Sequence, residues 1–318
     1  MNKILFQAKI VSQLLFRWFI VFFLLSSTVV VIDLFRNSKT EQQILEKLDS
    51  KLFDKVESLS ILAGLIVFIL EIPQQRKRSH YEAWQVINSA QGQTGSSGRI
   101  QAIQDLNQDG ISLAGLVANK AYLCCINLRN ADLIRAVLSE SNLSGSDLRG
   151  AKLIKADLYL SDLSKCDFRE AIFKEANLRE ADLTKSKLSR ADFYACNLYK
   201  ANFSRTDLTK AIFKSATLVE AFFSGSDLSE SQFEGAKLSG ANFSGSDLRD
   251  ADLSRTDLFK VSFDGANLEG ANLAGANIEG AEFSGSRGLN PEQIKSALNW
   301  DKAKYDELFY QKLGIPKN

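Results

Sequence analysis

Few residues in this chain can carry chemistry, and their spacing does not assemble them into catalytic sets. A single histidine, His80, stands beside Arg78 and Ser79 in 318 residues. One imidazole removes most triad, metal and acid–base machinery, and His80 reads as a solvated junction residue. The four cysteines follow no framework spacing, which argues against a disulfide-stapled secreted domain. Asp105-Leu-Asn107-Gln-Asp109-Gly110 matches the first half of a calcium loop, with side-chain oxygens at alternate positions and glycine at the sharp turn. The twelfth position, where a bidentate glutamate completes such a shell, is Leu116, so Asp105, Asn107 and Asp109 read instead as a helix-to-strand turn. Asn142, Asn202 and Asn242 each open an N-x-S sequon that the surrounding pattern generates by itself. No catalytic residue, cofactor or metal is expected, and the chain does not read as an enzyme.

The elements that must position these residues change grammar at two points. Residues 1–75 read as a membrane anchor. Trp18 to Ile32 is free of charge, and Leu14 to Phe16 and Leu34 to Phe35 extend it to a span over 14–35. At roughly 1.5 Å per residue, about 20 residues cross a hydrocarbon core of about 30 Å. A signal peptide is disfavoured, because the preceding charged region is long and no small-x-small cleavage site follows. Ser58 to Ile72 gives a second, shorter run, taken as a span over 58–72 with Glu71 near its end. Between them Ile44, Leu48, Leu52 and Val56 recur at every fourth residue, an amphipathic helix over about 40–57. Arg76-Lys77-Arg78 is a compact positive-inside signal. An integral membrane protein of a plasma or thylakoid-type membrane is therefore expected, with membrane lipids as the anchor's partner and the rest of the chain cytoplasmic. Residues 76–120 form a helical junction with a Gly/Ser linker at Gln91–Gly98, after which Ile100, Ile103 and Leu106 share one helical face.

From Ala121 the period is five. Leu, Phe or Ile occupies every fifth position from Leu123 to Phe283, 33 times without a break. Two residues before each stands a small side chain, with Ile126 and Val261 the larger exceptions, and the residue between is usually Asp or Asn. Five fits neither the helical nor the strand period. An extended segment does point residues two apart to one face, and the remaining residues are polar or turn-forming. Four such sides make a closed coil of about 20 residues, stacked at about 4.8 Å by parallel ladders.

The units ADLIR, ANLRE, ADLTK, ANFSR, ANLEG and ANLAG resemble the A-(D/N)-L-x-x consensus of the pentapeptide-repeat family. The resemblance covers 121–285 and implies a β-solenoid of the right-handed quadrilateral β-helix type, about eight coils long. The junction and the C-terminal tail also resemble membrane-anchored cyanobacterial members. Phe193, Phe213 and Phe233 fall 20 apart on one side of the coil. Phe203, Phe223, Phe243, Phe263 and Phe283 fall on the opposite side, with Leu between, so a filled core without a channel is expected. Cys166 and Cys196 fall at the small inward position, and Cys124 and Cys125 on an outward corner. Residues 286–318 read as a helical cap: Asn290, Pro291 and Gln293 open one helix, and a second from about Asp301 carries Tyr305, Leu308, Phe309 and Leu313 on one face.

These features favour a non-catalytic, membrane-tethered scaffold for an unidentified protein partner. A cytoplasmic domain of a channel or transporter component is the alternative. A second alternative, a DNA-mimic topoisomerase inhibitor, is borrowed from family members and needs a densely anionic rod. Residues 121–285 hold 20 Lys and Arg against 24 Asp and Glu, and the whole chain nets +1, so no nucleic-acid partner is expected either. The charge is polarised along the rod: 121–214 nets +4 and 215–285 nets −8. The basic half is expected to lean on anionic headgroups or an acidic partner.

Overall fold

The computed structural model describes residues 74–91, 95 and 98–315. The chain divides into two compact units, Met1–Arg78 and Ser79–Asn318. Of the first, only 74–78 are described, as part of a helix over 74–89 (α1). The second contains α2 (Arg99–Gln108), a long coiled body, α3 (Pro291–Lys295), a 3₁₀ turn (Trp300–Lys302) and α4 (Glu307–Leu313).

The coiled body follows from what each five-residue unit must bury. The large residue and the small one two before it both point inward, as with Ala201 and Phe203, both fully buried. The residue between them forms a single parallel bridge to its counterpart 20 residues on, from Val117↔Val137 to Asn267↔Arg287. Bridges recur every five residues, so each 20-residue coil closes four ladders, and the body is a four-sided β-solenoid. Each side is one bridge wide rather than a continuous strand. We number the faces by their inward series: I through Leu123, II through Leu128, III through Leu133 and IV through Leu138.

Asp and Asn recur at the bridging position because their side chains shape the turn that follows. The Asp162 carboxylate accepts from the Ser164 N–H at 3.0 Å, and Asn202 Oδ1 accepts from both the N–H and the hydroxyl of Ser204 at 3.1 and 2.7 Å. The residue two after each large one then takes a left-handed φ near 60°, as in Lys155 (57°) and Glu175 (57°). Where a small inward residue is Ser, its hydroxyl reaches a backbone carbonyl, as Ser226 does to Phe203 at 2.5 Å, so no buried donor is wasted.

The interior is solid. Phe173, Phe193, Phe213 and Phe233 stack inside face III at 4.8–4.9 Å with nearly parallel rings. The rings of Phe203, Phe223, Phe243, Phe263 and Phe283 stack inside face I at 4.7–5.4 Å. The two columns meet edge-to-face across the axis, Phe193 to Phe203 at 5.7 Å, which is a favoured aromatic geometry and leaves no central channel there. The ladder already runs at Leu113, whose N–H donates to the Asp132 carbonyl at 2.9 Å. In this first coil the sizes are exchanged, Leu116 at the small position and Ala118 at the large one, and both are buried. The count of large residues at every fifth position therefore starts only at Leu123.

Both open edges are closed by side chains as well as by packing. On the N-terminal side Ile87, Ile103 and Leu106 enter the core. From α2, Gln104 Oε1 accepts from the Asn127 N–H at 2.8 Å and Asn107 Nδ2 donates to the Arg129 carbonyl at 3.1 Å. These would otherwise be unpaired strand-edge groups. At the other end Asn290 and Gln293 form a reciprocal capping box. The Gln293 carboxamide also donates to the Leu268 and Ala271 carbonyls at 3.1 and 2.8 Å.

The expected localisation and the expected cap also change. The expected membrane localisation is overturned: among the described residues no helix is long and apolar enough to cross a membrane. The helix Arg99–Gln108 has ten residues where about 20 are needed, and α1 carries Arg76, Lys77 and Arg78. With that localisation go the lipid partner and the lipid-facing role of the basic coils. The runs 14–35, 40–57 and 58–72 lie outside the described residues. In the cap, no helix starts at Asp301. The chain instead makes a last irregular half-coil, with bridges Asn277↔Leu298 and Glu282↔Lys304. Insertion of the 3₁₀ turn lets Tyr305 continue the face I column, stacked on Phe283 at 5.5 Å. Tyr310 and Leu313 are buried, while Leu308 is 72 % exposed rather than on the apolar face.

Candidate functional site

The residues with ligand-like spacing do not converge. Asp105 and Asn107 lie within α2, whose last turn runs through the motif and ends at Gly110 (φ 71°). Ile111 N–H returns to the Leu106 carbonyl and Gly110 N–H to that of Asn107, the hydrogen-bond pair of a Schellman cap. The three side chains engage different partners: Asp105 accepts from Gln101 at 2.7 Å, Asn107 donates to Arg129, and Asp109 Oδ2 lies 2.6 Å from His80 Nε2. Asp105, Asn107 and Asp109 are thus structural, and His80 pins α1 to the end of α2 instead of standing solvated. Among the described residues no group of three or more His, Cys, Asp or Glu could hold a metal ion.

The cysteines separate into two classes. Cys166 and Cys196 are buried, with their thiols on the Leu143 and Phe173 carbonyls at 3.0 and 2.7 Å, the position Ser takes in other coils. Burial pushes each thiol up to about 12. Cys124 is half-buried and Cys125 exposed, on the outer side of face I.

The eight phenylalanines named above, Phe193 to Phe283, are each at most 2 % exposed and serve the core. Chemistry available to a partner therefore lies on the outer faces, and these differ. On face IV, Arg179 lies over the Tyr159 and Tyr199 rings at 5.9 and 5.1 Å, one coil to either side. Exposed Leu160 and Phe259 extend this face, and on adjoining face III Tyr194 is 46 % exposed among half-buried Ile154, Ile172 and Ile212. This apolar and aromatic strip was not singled out from sequence. Its signal is the 20-residue spacing of Tyr159, Arg179 and Tyr199 outside the inward register. A shallow depression of about 180 Å³ lies at the C-terminal cap between Phe283, Leu289, Tyr305 and Phe309.

A family model for pentapeptide repeats matches residues 126–164, 153–190, 161–198, 186–225, 226–265 and 251–287, together just over half of the chain. The chain belongs to the pentapeptide-repeat family. Among solved structures, this pentapeptide-repeat protein is similar to HetL, a pentapeptide repeat protein involved in heterocyst differentiation regulation from the cyanobacterium Nostoc sp. strain PCC 7120. The two are 29 % identical over 64 % of this chain and 93 % of HetL, with a TM-score of 0.46. It is also similar to Rfr23 from the cyanobacterium Cyanothece 51142, at 33 % identity over 30 % of this chain and 58 % of Rfr23, with a TM-score of 0.21. QnrB1, a plasmid-mediated fluoroquinolone resistance protein, matches at 19 % identity over 65 % of this chain and 92 % of its own, with a TM-score of 0.27. No curated protein matches the chain.

Proposed function

We propose that this pentapeptide-repeat protein is a non-catalytic scaffold that binds another protein through faces III and IV of its solenoid. The carrying observation is the Tyr159–Arg179–Tyr199 ladder on a rigid outer surface above a filled core. Tyr and Arg are the residue types over-represented where interface energy concentrates, and here the backbone ladder has already ordered them, which lowers the entropy lost on binding. On face III, Lys155, Lys174 and Lys214 already pair with Glu175, Asp192 and Glu234 of the solenoid, so its charges are largely matched from within and the partner is a protein offering apolar and aromatic side chains. Mimicry of duplex DNA, by contrast, needs a densely anionic surface along the whole rod, and 121–285 holds 20 Lys and Arg against 24 Asp and Glu, with its first half net basic.

A photo-crosslinking residue at position 219 on face IV, one coil beyond Tyr199, compared with one at 209 on opposite face II, tests the reading. The expected result is a saturable crosslink to one protein from position 219, lost when Tyr159 and Arg179 are both changed to Ser without a shift in melting temperature. Equal capture from both positions, or capture indifferent to the Ser changes, would overturn it.

A further inference from the structure

Cys124 and Cys125 share one corner of face I, and the corner presents their side chains together. Cys125 takes the left-handed conformation (φ 60°), and its Sγ lies 3.3 Å from that of Cys124. On the next coil the corresponding corner is Gly145, where a Cβ would stand 3.3 Å from the Cys125 sulfur, so this thiol sits over bare backbone. Tyr122, two residues before Cys124, is 51 % exposed. The hydrogen bonds from Tyr122 and Cys125 hold the Cys124 thiol below its ordinary range, which enlarges the thiolate fraction near neutrality.

We propose that Cys124 and Cys125 form a two-thiolate site for a soft, thiophilic centre of low coordination number, of the monosubstituted trivalent arsenical class. Bonds of about 2.3 Å to two sulfurs 3.3 Å apart meet at about 90°, the angle of a pyramidal three-coordinate centre. A hard cation such as magnesium or calcium prefers oxygen ligands, and a structural zinc needs four protein donors where this corner offers two thiols. The reaction balances without an oxidant. The arsenic–oxygen double bond of an arsine oxide gives way to two arsenic–sulfur bonds, the oxygen leaves as water with both thiol protons, and arsenic stays trivalent. Cys166 and Cys196 cannot compete, being buried on opposite sides of the coil and far from the thiolate form.

The test is intact-mass spectrometry of the reduced, full-length protein with phenylarsine oxide. One phenylarsenic per chain is expected, retained in excess 2-mercaptoethanol and removed by the dithiol 2,3-dimercaptopropanol. Cys124→Ser and Cys125→Ser should each abolish the monothiol-resistant adduct, with circular dichroism unchanged because both residues lie outside the core. A Cys166→Ala/Cys196→Ala variant should keep it. An adduct that the monothiol strips from the wild type, or one that persists in either single Ser variant, would overturn the assignment.

Discussion

Replacing Phe213 by alanine removes a ring from the middle of the aromatic lattice. The ring is fully buried, stacks on Phe193 and Phe233 at 4.9 and 4.8 Å, and meets Phe203 and Phe223 edge-on at 5.7 and 5.9 Å. A buried Phe→Ala change costs about 3–5 kcal/mol, the spread reflecting how far the site can collapse. Here it collapses little. Phe213 N–H is held by the Gln232 carbonyl at 2.7 Å and Ile212 N–H by that of Ala191 at 2.9 Å, so the walls are fixed by the ladders above and below. The upper part of that range, about 4–5 kcal/mol, is therefore expected. Phe213→Leu is the control. Leu253 and Leu273 already occupy the same column, so the backbone accommodates leucine, and the change should cost about 1–1.5 kcal/mol. Urea unfolding of the full chain followed by circular dichroism measures both. Because each coil touches only its neighbours, hydrogen exchange in the Ala variant should rise first in the coils of Phe193 and Phe233. If alanine and leucine at 213 differ by less than about 1 kcal/mol, the aromatic lattice is not what holds this part of the solenoid.

Gly288 has φ 76°, and a Cβ there would stand 2.5 Å from the Glu269 backbone nitrogen, so Gly288→Ala should cost about 2–4 kcal/mol. Gly110→Ala, with φ 71° but open space, should cost only about 1–2 kcal/mol, and thermal melts of the two separate contact from conformation. Gln293→Leu leaves the Leu268 and Ala271 carbonyls without their donor, with an expected loss of about 1–3 kcal/mol by urea titration. The Cys166 and Cys196 thiols are raised from 9 to about 12 by burial, so the unfolded chain loses these protons first and stability falls as pH rises from about 9 to 12. Cys166→Ala/Cys196→Ala should flatten that alkaline limb in pH-dependent melts. Glu175→Gln, breaking a pair with Lys155 in which both side chains are about half exposed, should change stability by less than about 0.5 kcal/mol in the same titration.

The five-residue period was enough to read the coil from sequence, because one inward pair per side is the least a closed coil must bury. Phe173 follows from the same 20-residue arithmetic as Phe193. Tyr305 does not, since the 3₁₀ turn shifts its offset from Phe283 to 22, and a register carried by bridges shows no trace of an insertion until the chain is folded. The first coil was hidden by the exchange of Leu116 and Ala118, which preserves the buried volume of the pair while breaking the pattern. His80 and Asp109 are 29 residues apart with no repeat to link them. The edge roles of Gln104, Asn107 and Gln293 depend on which N–H and carbonyl groups the last coils leave open, a property of the ladder's ends rather than of any local motif. The outer strip on faces III and IV was visible only as a departure from the polar average at positions the repeat leaves unconstrained.

The charge polarity of the rod follows from the same turn chemistry. An Asp or Asn at the bridging position is structural, because its side chain holds the following N–H, as Asp227 does for Ser229 at 3.0 Å. Asp at this position gives every stretch of solenoid a background of negative charge. In 121–214 basic residues elsewhere on the faces cancel that background, and the net +4 stands at the left-handed corners, among them Arg135, Lys165, Lys185 and Arg205. Long side chains at these corners pair one coil apart, as in Lys200–Glu220 and Lys210–Glu230 at 3.3 and 3.2 Å. A left-handed φ costs a non-glycine residue about 1–2 kcal/mol, and beyond Glu220 the chain relieves that cost by placing glycine at most corners: Gly225, Gly235, Gly240, Gly245 and the run from Gly265 to Gly285. Gly225, Gly275 and Gly280 stand one coil beyond the basic corners Arg205, Arg255 and Lys260. The residue just after each large one changes as well, from Arg129, Arg149, Arg169, Lys174, Arg179 and Lys214 in 121–214 to Glu234, Asp264, Glu269 and Glu279 in 215–285, and together with the bridging carboxylates this gives the net −8. Basic corners under mild backbone strain and flat glycine corners with an acidic surface are thus two solutions to one geometric demand, laid end to end on a single core.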